Sequence, residues 1–165
     1  MHILFVGKCS PTHTINSIIQ KTGKNPGIQI VKFSRLILEG FVHNNSQVDV
    51  LSNIVREPAL FSRHHEECFE EIHYTYLPTI QVPIVCQLVY ILSSFIYTIK
   101  WALKTKGDKI ILCDIFANSS SKGSVAAAQL LNIPKCMILT DMIAPPVTIA
   151  KDTSKWWWNT FFKMR

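Results

Sequence analysis

The sequence holds no CxxC pair, no zinc-finger spacing, no GxGxxG and no GxxxxGK[ST] loop. The first two absences exclude the common structural zinc modules. The other two exclude the glycine fingerprints of dinucleotide and P-loop nucleotide sites. Its cysteines, Cys9, Cys68, Cys86, Cys113 and Cys136, form an odd and scattered set. That usage points to reduced thiols in a cytoplasmic compartment rather than a disulfide framework. The only apolar run near the start is Ile3 to Val6, too short for a secretory signal. Acid is scarce: 11 Asp and Glu stand against 17 Lys and Arg, a net charge of +6. A basic chain can meet nucleic acid or an anionic membrane. No RNA- or DNA-binding motif is present, and Lys100, Lys104, Lys106 and Lys109 follow the longest apolar stretch. The balance therefore favours a membrane surface over nucleic acid.

With 165 residues and 48% apolar content the chain can bury a real core as one domain. The stretch Lys109–Asp141 organises it. Ile110 to Cys113 read as a strand buried on both faces, and Cys136 to Leu139 as a second apolar strand. Asn118 and Ser119 to Ser121 offer caps for a helix between them, which Asn132 and Pro134 stop. Two such strands joined by a helix are parallel, with a right-handed crossover. Ligands of open parallel sheets sit beyond the carboxyl ends of the strands, which places Asp114 and Asp141 on one rim. Either acid can equally serve as a cap at a loop end.

Upstream, Met1 to Val6 reads as a first strand, followed by a turn through Gly7, Lys8, Cys9, Ser10 and Pro11. Gly7 marks a place where the backbone turns tightly or approaches something closely. Thr12 to Thr22 suggests a short helical turn, and KTGKNPG a loop. An amphipathic helix from Ile28 to about His43 leads to a strand in QVDVLS, and IHYTYL alternates as a further strand. Between them, His64-His65-Glu66-Glu67-Cys68 invites a metal reading. Lacking a second ligand pair at metal-site spacing, it reads instead as a solvated loop or short helix. From Ile72 to Ile99 there is no Asp, Glu, Lys or Arg. The run Ile84–Ile99 is a helix that packs on the sheet, lies in a membrane interface or crosses a bilayer. Crossing usually takes about 20 apolar residues; counting back to Val82 or Ile80 nearly reaches that, but Gln81, Pro83 and Gln87 interrupt it. At the end, Lys151, Lys155, Trp156, Trp157, Trp158 and Lys163 suit a membrane surface, where indoles settle among headgroups and cations meet anionic lipid. A terminal docking helix is the alternative reading of that tail.

The order of these elements resembles the N-terminal half of family 4 glycosyltransferases, particularly bacterial members that build surface polysaccharides on lipid-linked acceptors. The resemblance is carried by HILFVG, PGIQIVKFSRLILEGF with QVDVLS, YLPTIQVPIVCQLVYILSSFIYTIKWALK, and KIILCDIFANSSSKGSVAAAQLLNIPKCMILTDM. It implies an α/β fold: a Rossmann-like three-layer domain over residues 1–147 with a mainly parallel sheet, half of a GT-B architecture, followed by a basic and aromatic helix over 148–165. It further implies an acceptor-binding role for Gly7, Lys8, Ser10, Asp114, Asn118 and Thr140. Asp141 is the catalytic candidate, and Thr140 stands where the family often carries a histidine. The implied reaction is sugar transfer from a nucleotide-sugar to a lipid-linked or glycan acceptor, with no metal and no other cofactor. The sequence stops at Arg165, before the donor half, so a C-terminal donor-binding domain or subunit is the expected partner and the chain alone is expected to be inactive. The expected location is the cytoplasmic membrane's inner face. A non-enzymatic membrane-anchoring or scaffold subunit is the alternative. A small flavodoxin-like protein binding a phosphorylated ligand is a third possibility.

Overall fold

The computed structural model describes residues 1–23, 28–55, 61–62, 64–114 and 118–138. The chain runs β1 (His2–Gly7), α1 (Thr12–Thr22), α2 (Ile28–His43), β2 (Gln47–Ser52), β3 (Phe61–Ser62), β4 (His65–Phe69) and β5 (Ile72–Tyr76). It continues through β6 (Thr79–Ile80), α3 (Pro83–Lys104), β7 (Lys109–Asp114), α4 (Asn118–Leu130) and β8 (Lys135–Ile138). Six strands form one sheet in the order β4-β5-β2-β1-β7-β8, and β3 pairs with β6 in a separate short ladder. Every pairing in the large sheet is parallel except β4 with β5. From β1 the chain winds outward through β2 to β5, then returns to β7 on the other side of β1. The fold is α/β and Rossmann-like, with the order reversing between β1 and β7.

Strand alternation divides the core in two. Ile3 and Phe5 of β1 point to one face and pack with Val48, Val50, Tyr74 and Leu38, the last from α2. Leu4 and Val6 point to the other and pack with Leu51, Ile111, Cys113, Trp101 of α3 and Ala128 of α4. A strand covered on both faces has no polar side, which is why HILFV reads as an unbroken apolar run. Ile15 and Ile18 of α1 meet Val31 and Ile54 in a smaller cluster above the first face.

Two expectations from the sequence need correction. The segment around His64 to Cys68 is neither loop nor helix: His65 to Phe69 is an antiparallel edge strand. Its hairpin to β5 turns at Glu70 and Glu71, with φ of 49° and 64°. Two successive positive φ values match a type I′ turn, which Asn-Gly normally announces. A Glu-Glu turn hides the hairpin. The predicted short turn after the first strand is an eleven-residue helix, closed by Gly23 at φ 65° with its N–H on the Ile19 carbonyl, 2.8 Å away. The second apolar strand of the Lys109–Asp141 stretch is β8. It lies at the sheet edge, where Cys136 and Met137 are exposed. The stop of α4 follows the sequence reading: Asn132 takes φ 56° just past Leu130.

The hairpin gives a direct test. A non-glycine residue held at positive φ costs roughly 1–2 kcal/mol. Replacing Glu70 and Glu71 by Asn and Gly should raise the urea midpoint, with a gain of about 1 kcal/mol or more. A lower midpoint would contradict the turn.

Burial raises the thiols of Cys9 and Cys113 from 9.0 to about 12. In the unfolded chain they ionise near their ordinary value, so the unfolded state binds fewer protons above that pH. Stability is therefore full below about pH 9 and falls towards pH 12, by up to about 1.4 kcal/mol per pH unit for each thiol. Native labelling at pH 8 should reach the exposed Cys68 and Cys136 and spare Cys9 and Cys113. Rapid modification of Cys9 in the folded protein would contradict its burial.

Candidate ligand site at the carboxyl rim of the sheet

The reversal between β1 and β7 makes their carboxyl ends the place where an open α/β sheet forms a crevice. Register pairs Val6 with Cys113, so Gly7 and Asp114 leave the sheet side by side. A Cβ on Gly7 would lie 2.7 Å from the Asp114 Cβ and 2.8 Å from the Phe5 ring. Glycine is needed here because a neighbouring strand end fills the space, not because of backbone φ. α1 and α4 both begin at this rim, so two helix N-termini bring partial positive charge to it. At α4, the Ser121 hydroxyl donates to the Asp114 carbonyl at 2.9 Å and ties the helix to the end of β7.

The loop after β1 is held from below. The Ser10 hydroxyl lies 2.7 Å from the Tyr76 hydroxyl at the end of β5. Tyr76 also donates to Oε1 of Glu67 on β4. Thr14 of α1 donates to the same carboxylate, 3.0 Å from Oε1 and 3.2 Å from Oε2, and the His13 imidazole lies 3.9 Å away. Ser10, Thr14 and Tyr76 are all buried. One carboxylate thus gathers groups from α1 and β5 and, through Tyr76, the loop after β1. A partly buried anion with several donors is better stabilised than one without them.

The residues expected to line an acceptor cleft therefore divide. Gly7 and Asp114 are adjacent, and Asp114 is buried. Lys8 is half-buried beside them. Ser10 faces inward, onto Tyr76. Asn118 opens α4 at the same rim. Thr140, Asp141, Lys151, Lys155, Trp156, Trp157, Trp158 and Lys163 lie outside the described residues. Sequence reasoning missed Glu67 and Tyr76. The alternation of His65, Glu67 and Phe69 was the available signal, masked by the unusual turn. The same alternation sends Glu66 and Glu67 to opposite faces, and no group of three or more metal-ligating side chains converges among the described residues.

No protein-family model, curated protein or solved structure matches this chain.

Removing the hydroxyl that links Ser10 to Glu67 tests the cluster. Tyr76→Phe should destabilise the protein by about 1–3 kcal/mol. The double variant Tyr76→Phe/Glu67→Gln should cost less than the sum of the two single changes, because they share one interaction. Strict additivity in urea unfolding would show that the two side chains are not coupled.

Proposed function

We propose that this chain is the acceptor-side half of a membrane-associated glycosyltransferase of the GT-B type. It would act on the inner face of the cytoplasmic membrane, moving a sugar from a nucleotide-sugar to a lipid-linked or glycan acceptor. A donor-binding domain or subunit would face the rim between β1 and β7.

The observation that carries the reading is the outward face of α3. Among the described residues this is the one helix long and apolar enough to cross a membrane, yet only 17% of its most apolar window is buried. Ile84, Leu88, Leu92 and Ile96, at four-residue spacing, are 75%, 56%, 60% and 51% exposed. α3 starts beyond the carboxyl ends of the strands, with Tyr90 reaching the β6 hydroxyl of Thr79 at 3.0 Å. Its most exposed turns therefore lie towards the same end of the sheet as the candidate crevice. A helix apolar on its solvent side and packed on a domain by its other side suits an interfacial position better than a span. That arrangement would hold the rim close to an acceptor anchored in lipid.

The inward-facing Ser10 and buried Asp114 favour one other reading, a membrane-anchoring scaffold that recruits a catalytic partner, since they leave an acceptor few side chains to touch. Both readings are tested by isolating the full chain from its own cells with its partners and supplying labelled nucleotide-sugars and a native lipid extract. The transferase reading predicts label in the lipid fraction from the complex and none from the chain alone. It further predicts that Asp114→Asn and Asp141→Asn complexes lose activity while still assembling. Unchanged activity in both variants would favour the scaffold, and no transfer from any nucleotide-sugar would overturn the transferase reading.

A further inference from the structure

A groove of about 890 Å³ runs between α3 and the uncovered face of β2, β5 and β4. That size lies within the range of small-molecule pockets. Trp101 and Ala102 of α3 pack over Leu4, Val6, Leu51 and Ile111, leaving the outer strands uncovered on this face. Asp49 pairs in register with His73, and Thr75 with Glu66, so these four side chains share the groove floor. The Trp101 indole N–H donates to Asp49 Oδ2 at 2.9 Å. Asp49 Oδ1 lies 3.5 Å from His73 Nδ1, and His73 Nε2 lies 3.7 Å from Glu66 Oε2. Glu66 Oε1 in turn lies 3.0 Å from His64 Nε2.

This chain of carboxylates and imidazoles stands on the part of the sheet that α3 leaves uncovered, where a ligand can reach it. The side chains of His73, Glu66 and His64 remain 40%, 52% and 50% exposed, and all three line the groove. Carboxylates and imidazoles at this spacing suit neighbouring hydroxyls, accepting and donating in turn. On the α3 wall, Lys100 and Lys104 stand one turn apart. Lysine binds phosphate as a point charge. One further turn back along the helix, Ile96 lines the groove and Leu92 continues outward along the exposed apolar face. Cations, hydroxyl partners and an apolar track thus meet in one place.

We infer that the groove is a headgroup site for a lipid whose phosphate carries a hydroxylated group, such as a sugar or an inositol. The site is separate from the β1–β7 rim. It rests on the membrane-surface part of the proposed function and is independent of the transferase chemistry.

Co-sedimentation of the full chain with vesicles tests it. Phosphatidylcholine vesicles doped with phosphatidylinositol are compared with vesicles doped to the same fraction with phosphatidylserine, which carries the same net charge without the ring of hydroxyls. The wild type should bind the phosphatidylinositol vesicles about tenfold more tightly. Lys100→Gln/Lys104→Gln should remove about tenfold of that affinity, whereas Lys32→Gln, on α2 across the sheet, should not. Glu66→Gln should lower phosphatidylinositol binding to the phosphatidylserine level and leave the latter unchanged. All four positions are solvent-exposed, so the variants should fold. Equal binding to the two lipids, or a Lys100/Lys104 variant that matches wild type, would overturn the groove while leaving membrane attachment standing. No binding to any vesicle would overturn both. A failed transferase assay would not touch this result, since no nucleotide-sugar is present.

Discussion

The close contact between α3 and α4 sets the character of this molecule. A Cβ on Gly123 would fall 2.2 Å from the Ile91 carbonyl oxygen and 2.2 Å from the Ser94 hydroxyl, so only glycine permits the two helices to approach this closely. The Thr98 hydroxyl donates to the Ser124 hydroxyl at 2.9 Å across the same contact. Ser94, Thr98 and Ala102, spaced by four, form the inward ridge of α3, and all are buried. Small residues at that spacing let helix backbones come together by van der Waals contact and short hydrogen bonds. Beside them Trp101 is the large side chain of α3 that is fully packed inward, while the aliphatic residues Ile84, Leu88, Leu92 and Ile96 lie on the outer face. The far end of α3 is anchored by Lys109, whose ammonium donates to the Ala102 and Thr105 carbonyls at 2.6 and 2.5 Å and satisfies the helix terminus.

The rim and the apolar face are therefore two products of one arrangement. The reversal of chain direction between β1 and β7 brings Gly7 against Asp114. The Glu67 carboxylate locks the loop after β1 to the far side of the sheet through Tyr76. On the opposite face of the sheet, α3 covers the central strands and leaves β5 and β4 bare. That bare area is where Asp49, His73, Glu66 and His64 gather. A short lateral shift of α3 towards β4 would close the groove and bury four ionisable groups at a cost of several kcal/mol each without full pairing.

Much of the fold was legible in the sequence because its central strands carry no polar face. HILFV and KIILCD, each flanked by turn residues, announce parallel strands, and Asn132 and Pro134 announce the end of α4. The hairpin was not legible, because Glu70 and Glu71 adopt backbone angles that other residues usually signal. That one turn concealed β4, and with it Glu67 and Glu66, which serve two different polar clusters on opposite faces. Periodicity alone left α3 open between core and interface. Ser94, Thr98 and Ala102 identify which stripe of that helix is packed, since small residues there let α4 approach. Gly7 announces either a tight turn or a close approach, and the Asp114 Cβ and the Phe5 ring show it to be a close approach.

The central claim is that the outward face of α3 lies in a lipid interface. Its most direct test is a nitroxide placed at position 88 by Leu88→Cys, in a protein whose Cys68, Cys86 and Cys136 are replaced by serine. Collision rates with oxygen, which concentrates in the acyl region, are compared with those of a water-soluble nickel complex after addition of anionic vesicles. The account predicts that vesicles raise oxygen access and suppress nickel access at position 88, while a nitroxide at position 32 on α2 keeps its aqueous ratio. A position-88 nitroxide that remains as open to the nickel complex with vesicles as without them would contradict it.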